Sequence, residues 1–284
     1  MNYFQIYLTT FLGICIVNYS TAFQMSMVST PLKKKRGTFG IPMPMPTLGS
    51  NGVTGGLISN LAVVALKLRL AKESGVNVDV TASSSDLLLR GRVGPVTVTG
   101  REWASGLGLS CRAIEATVNT CDIDMGRIVT DQKIRLTTPA MGNAMVALSS
   151  VDFGNFITHP LMKPPGLPGQ SSEPLTFLKD GVQIDPVTGA VTFNGMYLDE
   201  KWEFVLRRGK GDQKAIIQAN GSDDSRAADL RQVLETFFNQ MVFELDGTFL
   251  SFKDLMVTGK GRSPSVMLAL DIKVKKFPSP GLEF

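Results

Sequence analysis

The chain has 284 residues, 43% hydrophobic and 19% charged, with a formal net charge of +4. One histidine, and three cysteines without a Cys-x-x-Cys spacing, give no support to zinc-ribbon or thioredoxin-like sites. The excess charge is local: without Lys33, Lys34, Lys35 and Arg36 the 29 Lys plus Arg fall to 25, equal to the 25 Asp plus Glu, and a neutral body lacks the basic footprint of a nucleic-acid-binding protein.

Residues 6–17 form an apolar run of secretory length, too short to span a bilayer securely. Ser20-Thr21-Ala22 follows, with small residues where signal peptidase reads, so residues 1–22 are predicted to be a signal peptide cleaved after Ala22. A retained membrane anchor is the competing reading. Residues 23–36 are basic and hydroxylated, and the first acidic residue of the chain is Glu73. An acid-free segment of this kind reads as an organelle transit sequence. A signal segment, then Ala22-Phe23, then transit-like sequence resembles the bipartite plastid-targeting leader of diatoms and related algae, in which the phenylalanine at the cleavage point is the key residue. The resemblance implies delivery to the plastid by the secretory route. The alternative is a secreted or endomembrane-lumen protein with a basic linker. Residues 23–54 are predicted to be transit-like sequence and spacer, rich in Pro, Met and Gly over 38–56.

The spacing predicts a helix over 57–73. Leu57, Leu61, Val64, Leu68 and Ala71 make one stripe, and Ile58, Val63, Leu66 and Leu70 are apolar outside it. A helix apolar over so much of its circumference is buried widely or faces something other than water. A core helix against sheet is the simpler reading; one flank on sheet and one on lipid is the sharper one. Gly75 is the expected stop. Short strands are predicted at 76–80, 86–90 and 93–99. An antiparallel meander follows, marked by the alternation of Ile114, Ala116 and Val118, of Ile123 and Met125, and of Ile134 and Leu136, and then by residues 144–148. Phe153, Phe156, Ile157 and Leu161 then sit at helical spacing. Ser149 or Ser150 is placed to cap this helix, Asp152 suits its dipole, and His159-Pro160 is placed to end it.

Residues 163–174, KPPGLPGQSSEP, read as a linker between two halves, 55–163 and 175–278, of a single domain. Strands are predicted at 175–184, 189–198, 202–207 and 215–219. A helix begins near residue 220, capped by Ser222 or Asp223, with Leu230, Leu234, Phe237, Phe238 and Met241 on its apolar face. Strands at 247–258 and 266–274 close the chain.

Little here points to catalysis. A Ser-His-Asp hydrolase would have to use His159, beside Pro160, and no Gly-x-Ser-x-Gly elbow exists. The Gly-rich pieces lack the spacing of phosphate or dinucleotide loops. Asp122 and Asp124 share one face of a predicted strand, and the alternation puts that face toward solvent. Cys111 and Cys121 either pair, if the strands bring them close enough, or remain as two free buried thiols. Asn220-Gly-Ser222 is a glycosylation sequon, relevant only if the chain stays in the secretory route. The chain is therefore expected not to be an enzyme, and no cofactor or metal is implied.

Asp152-Phe-Gly-Asn-Phe-Ile-Thr-His-Pro-Leu-Met162, directly after a strand, resembles the Asp-Leu-Asn-x-x-Leu-x-Ser-Pro-Leu-Leu helix start of the LmeA-type phospholipid-binding proteins. The run 107–136 is similar to that family's middle section, and the resemblance covers roughly residues 55–278. Gly154 stands where the family has Asn, and His159 where it has Ser. The family is similar to the tubular lipid-binding superfamily. The resemblance implies an α+β fold, with strongly curved antiparallel β-sheets wrapping one long N-terminal helix and two further helices. It also implies non-catalytic binding or transfer of phospholipid or another membrane lipid in an apolar cleft between helix and sheet, with peripheral membrane contact and no nucleic acid. The residues expected at the lipid are Leu57, Leu61, Val64 and Leu68; Phe153, Phe156 and Ile157; and Phe237, Phe238 and Met241. One rival is an assembly protein of a plastid membrane with a fully packed core. Another is an enzyme of lipid metabolism, which needs a polar constellation that the sequence does not display.

Overall fold

The computed structural model describes residues 63, 67, 70–81, 86, 90–106, 108–124, 135–160, 162, 164, 174–210, 214–245, 247–259 and 263–275. The described chain is mostly antiparallel β, with a strongly curled half-barrel sheet and two helices. In chain order the elements are β1 (Leu70–Lys72), β2 (Gly75–Val80), β3 (Arg92–Val93), β4 (Val96–Ser105), β5 (Ser110–Val118), β6 (Cys121–Asp122) and β7 (Ala140–Leu148), then helix α1 (Ser150–Ile157). The second part holds β8 (Thr176–Phe177), β9 (Gln183–Asp185), β10 (Ala190–Tyr197), β11 (Glu200–Arg208) and β12 (Ala215–Asn220), helix α2 (Asp224–Asn239), then β13 (Val242–Leu245), β14 (Thr248–Thr258) and β15 (Ser265–Val274).

The curled sheet has eight strands in the order β1-β4-β5-β7-β15-β14-β13, with β2 also paired to β4. Its centre is a long-range pairing: β15 runs antiparallel to β7 from Val266↔Leu148 to Val274↔Ala140. The last two strands among the described residues, β14 and β15, thus complete the sheet that the meander begins. A five-stranded sheet, β12-β11-β10-β8 with β9 on β10, forms the second layer. The two sheets meet where β14 is irregular, between Phe252 and Asp254. There Lys214 donates through Nζ to the Phe252 carbonyl at 2.5 Å, and Arg208 on β11 makes a two-pronged ion pair with Asp254.

Alternation explains most of the strands. On β15, Val266, Leu268, Leu270, Ile272 and Val274 are buried while Asp271 and Lys273 are exposed. On β11, Trp202, Phe204 and Leu206 are buried between Lys201, Glu203 and Val205. One sheet face is thus continuous with the core, as a half-buried antiparallel sheet requires.

Several expectations are corrected. The helix predicted over 57–73 does not reach Glu73: Leu70–Lys72 is a strand, with Leu70 opposite Ser105 and Lys72 opposite Ala104. Positions 57–62, 64–66 and 68–69 lie outside the described residues, and so do Leu57, Leu61, Val64 and Leu68. A long N-terminal helix is therefore not shown, and two helices are described along their whole length where three were expected. Asp86 and Arg90, predicted in a strand, are helical and joined by an i,i+4 ion pair at 3.3 Å. The strand predicted at 93–99 divides into β3 and β4 around Gly94-Pro95. The strand predicted at 175–184 divides into β8 and β9, with Gly181 at φ 87° in the turn between them. Most of the predicted linker, and Ile134 and Leu161, lie outside the described residues; Leu136 forms an isolated bridge to Ile123.

Candidate functional site

The inner face of the curled sheet is apolar from edge to edge. Val78 and Val80 on β2, Val96 and Val98 on β4, Ala116 and Val118 on β5, Ala140 and Ala144 on β7, and Leu270, Ile272 and Val274 on β15 are all buried in one cluster. Trp103 joins them by folding across Gly100, where a Cβ would stand 1.9 Å from the indole. Its Nε1 donates to the Gly75 carbonyl at 2.9 Å, which anchors β2 against β4 where the chain breaks step at Ser74. Two residues that precede or open β1 also pack on this face: Val63, which is helical, and Leu70. Lys67, helical as well, pairs with Glu73 at 3.1 Å. Of the stretch 57–69 only Val63 and Lys67 are described, and Leu57, Leu61, Val64 and Leu68 lie outside the described residues.

A second apolar cluster lies between α1, α2, the five-stranded sheet and the far end of β14 and β15. Phe153 and Ile157 are 0% exposed within it, and Phe238 and Met241 are buried there too. Phe156 and Phe237 are half-buried at its margin. Phe193 is ringed by Phe153, Phe177, Phe204 and Phe238 at centroid separations of 5.5–6.2 Å, each pair tilted or edge-on. Six of the expected lipid contacts thus belong to one closely packed aromatic core. Met241 lies beyond α2, which ends at Asn239, rather than on its face.

The polar groups of the family-like motif hold α1 in place. Ser149 is the N-cap, and with Asp152 it forms a capping box: the Ser149 hydroxyl accepts from the Asp152 N–H at 3.2 Å, and the Asp152 carboxylate accepts from the Ser149 N–H at 3.0 Å. Ser110 on β5 donates its hydroxyl to Asp152, and Asn155 donates to the Ser110 oxygen at 2.9 Å. Asp152 and Asn155, three residues apart on one helix face, therefore clamp α1 to β5. Gly154 lies against the turn that follows β8, where a Cβ would stand 2.2 Å from the Lys179 carbonyl oxygen. That contact requires glycine where the resembling family has Asn. Sequence reasoning missed this constraint, although a glycine inside a short helix is a visible signal of close backbone approach.

None of these groups is set up as a nucleophile. Cys111 and Cys121 are both free. Burial, with the nearby Asp152 carboxylate, pushes the Cys111 thiol up to about 12. Burial, with Asp122, pushes Cys121 up to about 11. His159 is 5% exposed, and burial lowers its pKa, so the imidazole is held neutral just beyond the end of α1. Asp122 is paired to Arg92 at 3.0 Å rather than to a second carboxylate. Among the described residues no group of three or more His, Cys, Asp or Glu side chains is placed to hold a metal ion, and no helix is long and apolar enough to cross a membrane. Comparison with protein-family models, with curated proteins and with solved structures gives no match.

Proposed function

We propose that this chain binds or transfers membrane lipid without chemistry, holding acyl chains between the stretch 57–69 and the inner face of the curled sheet. The observation that carries the reading is Val63, which is helical and half-buried against the inner-face cluster. In this reading the stretch forms the long N-terminal helix, Leu57, Leu61, Val64 and Leu68 line the cleft with the inner-face valines, and headgroups stay at a polar mouth. The driving force is desolvation, about 0.8 kcal/mol for each CH₂ removed from water. Lipid reaching Phe153, Phe156, Ile157, Phe237, Phe238 and Met241 would require the aromatic core to open. The LmeA-type resemblance supports phospholipid as the ligand, and the Ala22-Phe23 leader supports a plastid location. Native mass spectrometry of the purified chain tests the reading: mass increments of phospholipid size are expected, and a bare protein mass from lipid-replete cells would contradict it.

The packing of the aromatic core favours a second reading for that half of the molecule, an assembly scaffold whose phenylalanines pack only within the protein core. It predicts no lipid at either cluster.

A further inference from the structure

The outer face of the curled sheet carries methionines where alternation calls for polar residues. On β7, Ala140, Ala144 and Leu148 face inward, while Met141 and Met145 face outward at 49% and 41% exposure. Met256 on β14 is 43% exposed and sits directly opposite Met267 on β15. Met145 is opposite Ala269, two residues along β15 from Met267. Met145, Met267 and Met256 therefore form a diagonal across three adjacent strands, within reach of one another on one face. Val242 on β13, 54% exposed and opposite Ser251, extends the same face. Of the exposed large hydrophobic residues described, only Val151 and Val187 lie elsewhere. Exposed apolar groups scattered singly are ordinary, but a contiguous patch marks an interaction surface.

The charges around the patch are sorted. Asp271 is paired with Lys253 at 3.0 Å, and Asp254 is held by Arg208, so two acids of this face are neutralised within the chain. Glu115, an exposed acid, stands opposite Met145. At the other end of the face Lys273 is opposite Met141 and Phe249, and Lys275 lies over the Phe249 ring, its Nζ 4.2 Å from the centroid. Lysines laid over apolar side chains suit a boundary where the stem meets hydrocarbon and the ammonium meets a polar layer. Methionine, flexible and polarisable, suits a partner without fixed shape.

We propose that this outer face docks on the surface of an anionic lipid bilayer, with Met145, Met256 and Met267 entering the headgroup boundary and Lys273 and Lys275 meeting acidic headgroups. The inference deepens the lipid-binding reading and rests on it, for it names the surface by which a lipid carrier would meet its membrane.

Flotation of the full chain with vesicles tests it, using phosphatidylcholine alone and a phosphatidylcholine–phosphatidylglycerol mixture. The wild type is expected to float with the mixed vesicles, and less so at high salt, which screens the lysines. The double variant Met145→Gln, Met256→Gln, which adds no charge opposite Glu115, is expected to lose about tenfold or more in partitioning, since each apolar side chain removed from water is worth roughly a factor of ten. Lys273→Glu is expected to weaken binding to the mixed vesicles and leave the remainder unchanged. Both variants alter exposed sites, so unchanged circular dichroism and melting temperature are expected alongside. Full flotation of the double methionine variant, or no flotation of the wild type with either vesicle, overturns the proposal. A wild-type dimer in light scattering that the methionine variant abolishes also overturns it and assigns the face to a second copy. Lipid extracted from the purified chain separates this result from the cleft: flotation without bound lipid sinks the cleft and keeps the docking face, and bound lipid without flotation does the reverse.

Discussion

The side-chain amide of Asn239 makes a two-way hydrogen bond with the backbone of Ala215, accepting from its N–H at 3.0 Å and donating to its carbonyl at 2.8 Å. The same oxygen accepts from the Lys214 N–H at 2.6 Å, and Glu235, one turn earlier on α2, accepts from the Ile217 N–H at 3.1 Å. Because β12 is the edge of its sheet, groups on its far side have no strand to meet. The polar edge of α2 stands in for that strand while Leu230, Leu234 and Phe238 bury its apolar face. An uncovered edge invites pairing with another chain, and a covered one does not.

Asn239→Ala therefore leaves buried backbone groups unmatched. The expected cost is about 1–3 kcal/mol, read as a lower urea midpoint, together with a greater tendency to aggregate. Asn239→Asp keeps the acceptor and loses the donor, so its midpoint is expected to fall between the two. Equal midpoints for all three proteins would show that α2 covers the edge by packing alone.

Gly154→Ala places a methyl group 2.2 Å from the Lys179 carbonyl oxygen, which belongs to backbone and cannot swing aside. Alanine is the better helix former by about 1 kcal/mol, so propensity predicts stabilisation and contact predicts the opposite. The contact is expected to win, with a net loss of about 1–3 kcal/mol from overpacking. An unchanged or higher melting temperature would mean that α1 does not sit this close to the turn.

His159 gives the fold a pH dependence of known sign. Its folded pKa is lowered by burial, so below about 6.5 the unfolded chain takes up a proton that the folded chain resists. The stability it contributes is complete above that pH and is lost as pH falls toward the folded value. Denaturation free energies measured between neutral pH and mild acid are expected to decline in the wild type and to decline less in His159→Gln. Parallel curves would place the histidine in water.

Cys111 and Cys121 are expected to react slowly with a disulfide reagent at pH 8 in the native protein. Thiols at about 12 and about 11 are ionised there to roughly one part in a thousand or less. Both should react at once in denaturant. Rapid native labelling of either would contradict its burial.

The legible elements are those whose information is local. The capping pair Ser149 and Asp152, the alternation of β10, β11 and β15, and Asp223 as the N-cap of α2 all stand in the sequence within a few residues of where they act. What escaped depends on distant partners. Leu70–Lys72 continues a helical period but is drawn into a strand by β4, and Val242–Leu245 is too short to alternate visibly yet pairs with β14. Nothing near Ala140 announces Val274 as its neighbour. At the candidate site, Phe153, Phe156 and Phe238 were legible as apolar faces, but whether a face meets lipid or another ring is decided by Phe193, a strand residue far along the chain.

The central proposal is that the apolar inner face of the curled sheet encloses lipid together with the stretch 57–69. Leu61→Trp and Val64→Trp, each measured for phospholipid uptake and for melting temperature, test it most directly. A cleft has room, so the account predicts reduced uptake with little change in melting temperature. Packed core has none, and there the bulkier side chain would cost about 1–3 kcal/mol. A lower melting temperature with lipid uptake unchanged would contradict the account.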